Sequence, residues 1–290
     1  MGQLAAIMPV VVIDPTELKK WGEKWLNNKK EAETEAQNKF SAKEETRKKK
    51  AHAAGRRFKA KVFDPSSVSG AFARDESVQF ATMFDRAFGN ALAKFLGNVP
   101  VVPPNGDSLL PPQEDCVEVG AAKIVGGIRP QNYDAAYRPD GPRVVLDSKS
   151  LNDRKSIGKN WQNMINDLAT EAATIHTRFP YAVVAFMVIL PKPALEAKQE
   201  ADIVRTLERL GTREHVLDQH HLAEAIALIV WDPEAGEIDP TVPGENSIIG
   251  MKSFSQKIAR CYIERYKGLP PHGFVREAPG NEHEQDIDLP

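Results

Sequence analysis

Two long apolar runs restrict the fold of this chain more than any other feature of its sequence. Residues 181–190 and 224–231 are almost unbroken in hydrophobic side chains, which is typical of strands buried on both faces of a sheet. Such strands need a layer of helices on each side. Amphipathic patterns predict these helices over residues 156–177, 193–211 and 252–267. We therefore expect an α/β fold with a mixed central sheet flanked by helices.

Changes in composition divide the chain into three parts. Residues 1–62 are highly charged and predict a helical arm, in which Trp21 and Trp25 recur at helical spacing within an apolar stripe. This stripe would pack on the body of the protein or form the contact of a dimer. Residues 63–275 contain the apolar runs and are expected to form the main domain. Residues 276–290 are acidic and punctuated by Pro and Gly, which is typical of a disordered tail.

Charge and cysteine content limit the class of protein. The formal net charge is −2, so a surface that binds nucleic acid has to be a local patch. Cys116 and Cys261 are far apart and match no metal-binding spacing, which favours a reduced, cytoplasmic location. No apolar run approaches the roughly 20 residues that span a membrane, so no membrane association is expected.

Residues 132–150 are expected to form a β-hairpin. Pro, Asp and Gly at positions 139–142 suit a four-residue turn. Side chains that lie directly opposite each other on paired strands are found by counting outward from that turn. This count places Asp134 opposite Asp147, on one face of the hairpin.

The pair of carboxylates predicts a cation site. Like charges opposite each other on paired strands are only about 5 Å apart and repel. Lys149 is two residues beyond Asp147, so it projects from the same face. Carboxylate oxygens are hard ligands, and they favour an octahedral divalent ion, most naturally Mg²⁺. Asp134, Asp147 and the backbone carbonyl of Ser148 are the predicted ligands.

This combination of residues suits the hydrolysis of a phosphodiester. Mg²⁺ held by two carboxylates can neutralise charge on the phosphate and lower the pKa of its bound water. A lysine ammonium beside it can hold or help to deprotonate that water, and can stabilise charge on the scissile phosphate. Asp134, Asp147 and Lys149 are therefore the predicted catalytic residues.

The pattern Asp-(x)12-Asp-Ser-Lys lies after an amphipathic helix and before a helix and a buried strand. In this setting it resembles the PD-(D/E)XK nuclease superfamily, over roughly residues 76–190. Asp134 matches the first acid of the family motif, Asp147 the second and Lys149 the lysine. The resemblance implies that the main domain has the restriction-endonuclease-like fold.

The family comparison raises two further points about acidic residues. Members often carry an additional acid on the helix before the hairpin, here predicted over residues 75–97. Asp85 resembles that acid, and Glu118 is a rival for the same role. The literal Pro139-Asp140 dipeptide falls in the turn, which departs from the family pattern, so Asp140 is assigned no ligand role.

The resemblance implies a type II restriction endonuclease, the nuclease of a restriction–modification system. Such an enzyme hydrolyses double-stranded DNA with Mg²⁺ and leaves 5′-phosphate and 3′-hydroxyl ends. Palindromic sites require a two-fold symmetric reader, so a homodimer is expected. A cognate DNA methyltransferase is implied as a functional counterpart and not as a bound partner. Two alternatives stay open: a nuclease of DNA repair, recombination or phage defence without sequence specificity, and a non-catalytic DNA-binding protein.

Two groups of residues have chemistry suited to DNA. The basic run over residues 43–61 could neutralise phosphates, or form no more than a solvent-exposed helix face. A loop after residue 211 carries donors that suit base edges in the major groove, or it is only solvated. The residues predicted to bind DNA are Lys48, Lys49, Lys50, Arg56, Arg57, Arg213, Gln219, His220 and His221.

Overall fold

The computed structural model describes residues 4–65, 68, 72–106 and 108–272 of the 290-residue chain. This part contains five α-helices: α1 (Pro15–Ala53), α2 (Arg74–Phe95), α3 (Arg154–His176), α4 (Ala197–Leu210) and α5 (Met251–Tyr266). It contains seven strands: β1 (Val101–Val102), β2 (Val117–Val125), β3 (Pro130–Tyr137), β4 (Val144–Ser150), β5 (Val183–Pro191), β6 (Ala225–Asp232) and β7 (Glu237–Ile238). A short 3₁₀ turn, Lys192–Ala194, precedes α4.

The seven strands form one sheet whose spatial order is the same as their order in the chain. β3 is antiparallel to both of its neighbours, β2 and β4, whereas β4, β5 and β6 run parallel. At the edges, β1 is parallel to β2 and β7 is antiparallel to β6. The mixed sheet expected from the sequence is therefore confirmed.

Helices cover both faces of this sheet. α1, α2 and α5 contribute to the hydrophobic core on one face, and α3 and α4 to the core on the other face. β5 is buried along its whole length, because its alternate side chains enter the two cores. Met187 faces the first core and Phe186 the second. The α/β class predicted from the apolar runs is confirmed.

Local structure differs from the predictions at two places. The arm predicted over residues 1–62 is helical from Pro15 to Ala53, and Gly55 beyond the helix has a left-handed backbone with φ +62°. The short strand β1 lies in a Pro-rich segment with no strand pattern of its own, and it forms because it pairs with β2. Residues 276–290, the predicted disordered tail, lie outside the described residues.

The apolar stripe of α1 packs against its own chain. Trp25 is 2% exposed and donates its indole N–H to the carbonyl of Asn152 at 2.9 Å. Its ring meets that of Trp231 edge-on, with 6.5 Å between centroids. Trp21 lies edge-on to Phe80 at 5.7 Å. Packing on the body, the first of the two alternatives for this stripe, is therefore confirmed for Trp25 and Trp21, while a dimer contact through the arm stays a prediction.

Among the described residues, no helix is both long and apolar enough to cross a membrane.

A buried ion network joins the start of β6 to α3 and α5. Glu224 is fully buried; its carboxylate accepts from the guanidinium groups of Arg213 and Arg265 and lies 3.1 Å from Nε2 of His176. Burial acts to raise the pKa of Glu224, but His176 and the two arginines outweigh it and lower that pKa to about 2. Arg213 is 1% exposed. The prediction that Arg213 reads DNA bases is therefore wrong.

Replacing Glu224 should test how much this network stabilises the fold. Glu224→Gln leaves two buried guanidinium groups without a counter-charge, which should lower the free energy of unfolding by about 3–5 kcal/mol at pH 7. The carboxylate has a lowered pKa in the folded state, so its contribution is present above its usual pKa of 4.5 and is lost as the pH falls towards about 2. Urea unfolding between pH 7 and pH 3 measures both effects, and the exposed Glu237→Gln is the control.

Candidate active site

An open cleft of about 530 Å³ lies between α2 and α3 at the C-terminal end of β4. Its walls are the first turns of α2 and the first half of α3. The end of β4 forms its floor, and Asp134 of β3 lies beside it. The polar residues that line it are Ser77, Thr82, Asp85, Asp134, Ser148, Lys149, Ser150, Asn160, Asn163 and Asp167.

Asp134 occupies the point where β3 and β4 separate. The strands pair as far as Ala135 and Leu146, in the register predicted from the hairpin turn. In this register Asp134 and Asp147 are the next pair. The ladder stops before them, and the N–H of Ser148 donates to Asp134 Oδ2 at 2.8 Å. The side chain of Asp134 thus takes the place of a backbone acceptor on β3.

A bulge in β2 accompanies this separation. The register between β2 and β3 shifts by one residue around Gly120, whose φ is +130°, a conformation that favours glycine. Gly120 and Ala121 together lie opposite Asp134, so the bulged strand β2 bends and the ladder to β3 is locally disrupted. Tyr133 and Ala135 would share one face of an unbroken strand, yet they enter different cores. This change of face leaves Asp134 between the two faces, with its carboxylate at the end of β4.

β4 presents alternate side chains to two helices. Asp147 and Lys149 lie on the α3 side, with 2.5 Å between Asp147 Oδ2 and Lys149 Nζ. Ser148 lies on the α2 side and donates from Oγ to Asp85 Oδ1 at 2.5 Å. The predicted placement of Asp147 and Lys149 on one face is confirmed.

Of the two candidates for an additional acid, only Asp85 lies in the cleft. Asp85 is 5% exposed and belongs to the lining. Glu118 is fully buried in β2, and its carboxylate accepts from Arg138 Nε at 2.5 Å and from Nη2 at 2.8 Å. This two-point ion pair occupies the carboxylate. The prediction that Glu118 joins a metal site is therefore wrong.

A fourth carboxylate, Glu171 of α3, was not predicted. Its Oε1 accepts from Lys149 Nζ at 2.9 Å and from Gln131 Nε2 at 2.8 Å. Its Oε2 is buried and has no hydrogen-bond partner among the described residues. Glu171 falls on the same helix face as Leu168 and Ile175, which are fully buried. An acid within an apolar stripe is the sequence signal that could have identified it.

The cleft and the residues directly behind it contain more negative than positive charge: Asp85 and Asp134 line the cleft, and Asp147 and Glu171 lie against Lys149. Lys149 forms ion pairs with two of these four acids, Asp147 and Glu171. The salt bridges found among the described residues include none to Asp85 or Asp134. Burial, and after it the charge of Asp134, raises the pKa of Asp85 to about 8. Burial also raises the pKa of Asp134 and, more strongly, that of Asp147. Such shifts mean that the carboxylates compete for protons or for another cation.

Lys149 is held in its charged form. Burial acts to lower the pKa of its ammonium, but the carboxylates of Asp147 and Glu171 outweigh burial and raise that pKa. A lysine with a raised pKa is a hydrogen-bond donor and not a base near neutral pH.

The donor set fits Mg²⁺ bound through few protein ligands. Within the described ranges, no three His, Cys, Asp or Glu side chains are spaced to enclose a metal ion. Mg²⁺ usually keeps several waters and takes only one or two carboxylates from a protein. Asp134 and Asp147 could supply these, with Asp85 beside them. The carbonyl of Ser148 points to the same strand edge as its N–H, towards Asp134, and could add one more oxygen.

The predicted base-reading loop lies away from the cleft. Gln219, His220 and His221 are exposed and precede the N-terminal end of β6. The cleft is at the C-terminal end of β4, which runs parallel to β5 and β6. These residues and the cleft therefore lie at opposite ends of the parallel strands, and the structure does not bring them together.

The basic residues predicted to bind phosphate are accessible. Lys48, Lys49 and Lys50 lie in the last turns of α1, and Arg56 and Arg57 follow it; all five are exposed. Lys49 forms an exposed ion pair with Glu45 at 2.9 Å. Exposed pairs of this kind contribute little to stability, so Lys49 is free to exchange this partner for a phosphate.

No known protein family matches the sequence, and no curated protein or solved structure shows significant similarity to it. The interpretation of the cleft therefore rests on its residues and their geometry.

Replacing Asp85 should reveal the repulsion within the cleft. Because its pKa is about 8 in the folded state and 3.8 ordinarily, folding becomes less favourable as the pH rises from about 4 to about 8. Asp85→Asn removes this penalty and can still accept the hydrogen bond from Ser148. At pH 7 in EDTA it should raise the free energy of unfolding by about 2 kcal/mol.

Chemical unfolding from pH 4 to pH 8 measures this effect. The advantage of Asp85→Asn over the wild type should become small near pH 4, because the penalty builds up only as the pH rises above the ordinary pKa of 3.8. Asp167→Asn changes an exposed acid of the same cleft and should have little effect. A variant less stable than the wild type at pH 7 would show that Asp85 is not repelled by its neighbours.

Proposed function

We propose that this protein is a Mg²⁺-dependent deoxyribonuclease that hydrolyses phosphodiester bonds of double-stranded DNA. The observation that carries the proposal is the set of buried carboxylates around Lys149, which lies at the floor of a cleft wide enough for a polymeric substrate. Buried acids with raised pKa values stabilise a bound cation more than they stabilise the fold. A phosphodiester offers the anionic group that this cation and Lys149 would bind together.

The residues of the chain have distinct parts in this reaction. Asp134 and Asp147 would hold the metal, with the carbonyl of Ser148 and Asp85 at its margin. Mg²⁺, when bound, neutralises charge on the phosphate and lowers the pKa of a coordinated water. Lys149 would donate hydrogen bonds to the attacking water and to the scissile phosphate. Its raised pKa favours this donor role over the removal of a proton from the water.

Glu171 would act as a positioning residue for Lys149. Asp147 is the nearer of the two carboxylates that form ion pairs with Lys149, at 2.5 Å against 2.9 Å for Glu171, and Glu171 is the one that accepts its hydrogen bond. When Asp147 binds a metal, it shares its charge with that ion, and Glu171 is then the main anion that fixes the ammonium. Gln131 in turn holds Glu171 in place through a hydrogen bond of 2.8 Å.

We propose a type II restriction endonuclease that acts as a homodimer. Both parts of this proposal are supported by the resemblance to that family. A nuclease without sequence specificity is the second candidate, and one observation favours it. Of the residues predicted to read bases, Arg213 is buried, and Gln219, His220 and His221 lie at the opposite end of the parallel strands from the cleft.

Incubation with plasmid DNA tests the proposed function. With Mg²⁺ the wild type should cut the plasmid, and with EDTA it should not. Discrete bands support a restriction enzyme and a smear supports a nuclease without sequence specificity. Binding without cleavage would overturn the proposal in favour of a non-catalytic DNA-binding protein.

Lys149→Ala and Asp147→Asn should each lower kcat/KM by at least about 100-fold, since each removes charge stabilisation at the reacting phosphate. Asp140→Asn is the matched control. Asp140 is the acid of the literal Pro-Asp dipeptide, but its carboxylate bonds Arg143 in the hairpin turn at 2.6 Å, at the other end of β4. Cleavage by Lys149→Ala or Asp147→Asn at the wild-type rate would refute the site assignment.

Glu171→Gln should separate positioning from a purely structural role. Loss of this negative charge should lower the pKa of Lys149, because Glu171 contributes to raising it. We expect kcat to fall about 10-fold, the size of a modest loss in charge stabilisation, with little change in KM for DNA. NMR titration of the Lys149 Nζ group measures the pKa independently of activity.

Asp167→Asn, one turn earlier on α3, is the control for Glu171→Gln and should change neither value. If Glu171→Gln unfolds more easily while the pKa of Lys149 and kcat stay as in the wild type, Glu171 is structural only.

A further inference from the structure

We infer that the distal part of α1 is a DNA-binding arm that contacts the phosphate backbone nearly one turn of the double helix away from the cleft. The distal arm comprises residues 29–53 of α1 and the segment 56–63 that returns along it. The inference rests on the proposed function, since it takes double-stranded DNA as the substrate of the cleft. It is carried by the path of α1, by its charge and by the packing of the returning segment.

α1 runs along the edge of the sheet where the cleft opens. Gly22 packs against the chain just after β6, and Trp25 donates to a carbonyl just after β4. Asn28 then donates to Glu76 at 2.8 Å, next to Ser77 of the cleft lining. Because β6, β5 and β4 are consecutive in the sheet, the helix advances from β6 to the rim of the cleft.

The helix then extends well beyond this rim. Among the described residues, Asn28 is the last residue of α1 that bonds to the body of the protein, and the helix continues to Ala53. At about 1.5 Å per residue, Lys48 lies about 30 Å beyond Asn28 along the helix axis. Successive base pairs of DNA are 3.4 Å apart, so this length corresponds to about nine base pairs.

The end of the arm has a large excess of positive charge. Residues 43–61 contain nine Lys and Arg and two Glu, a net charge of +7 in a chain whose net charge is −2. The cations at positions 48–50, 56 and 57 are exposed. Like charges at this density repel one another. A polyanion such as the DNA backbone removes that repulsion and releases its own counterions when it binds.

The returning segment concentrates this charge. Phe63 packs against Phe40 of α1 with 5.6 Å between ring centroids, and Phe58 lies 5.6 Å from the guanidinium of Arg47. These contacts hold the basic residues of segment 56–63 alongside those of the helix. The arm therefore places the exposed cations of the helix and those of the returning segment side by side. Such a surface binds phosphates without reading base sequence.

Neutralising the arm tests the contact through binding alone. Affinity for a labelled duplex of about 30 base pairs, long enough to span the cleft and the arm, is measured in EDTA over a range of NaCl concentrations. The arm variant combines Lys48→Gln, Lys49→Gln and Lys50→Gln. Its matched control combines Lys94→Gln, Arg209→Gln and Lys267→Gln, which are exposed and lie near the C-terminal ends of α2, α4 and α5.

Each lost phosphate contact should reduce the slope of log affinity against log salt by about 0.9. We therefore expect a slope smaller by about 2 to 3 for the arm variant and unchanged for the control. Equal slopes for the wild type and the arm variant would overturn the inference. An equal loss in the control variant would do so as well, since the effect would then be one of net charge.

A tethered cleavage reagent tests the distance. Cys116 and Cys261 are buried, so the thiol of Lys49→Cys can be labelled selectively with iron–EDTA. Radical cuts should appear about nine base pairs from the phosphodiester that the protein hydrolyses. Cuts beside that bond, or none on the DNA, would contradict the proposed path.

The two proposals can fail separately. If the plasmid is not cut but the arm variant loses salt-dependent binding, the arm contact holds and the nuclease proposal is wrong. If the plasmid is cut and the arm variant binds like the wild type, only the inference about the arm is wrong.

Discussion

The ammonium of Lys149 is the interaction on which the candidate site depends. It forms an ion pair with Asp147 on its own strand and a hydrogen-bonded ion pair with Glu171 on α3, so it joins the sheet to the helical layer and offsets buried negative charge. Isolated buried charges are very costly, and here β4 has a hydrophobic core on each face. The carboxylates cannot reach solvent through these cores. The cleft at the end of β4 is where a further cation and a substrate can approach them.

Buried acids elsewhere in the protein show what a purely structural carboxylate looks like. Glu118 has a two-point ion pair with Arg138, and Glu224 has Arg213, Arg265 and His176 as partners that lower its pKa. The pKa values of Asp85, Asp134 and Asp147 are instead raised. The first type stabilises the fold, whereas the second stores repulsion that a bound ion can relieve.

Repulsion between like charges is also present in the distal arm, where the charges are positive. Its basic residues repel one another in the free protein, and the excess is local, because the chain as a whole is slightly negative. The acidic cleft and the basic arm lie at the same end of the sheet. A divalent cation would relieve the repulsion in the cleft, and a polyanion would relieve the repulsion in the arm. A nucleic acid with its bound Mg²⁺ supplies both, which is why the two features support each other.

Several features of this protein follow from its sequence alone because they depend on local geometry. The apolar runs determined the buried strands, and the turn at positions 139–142 determined the register that brings Asp134 next to Asp147. Period-two alternation placed Lys149 beside Asp147. Other features depend on how helices pack on the sheet, which residues distant in sequence decide. Only the tertiary structure selected Asp85 over Glu118, added Glu171, and buried Arg213 and Trp25, because burial and ion pairing are properties of the packed layers and not of any one segment.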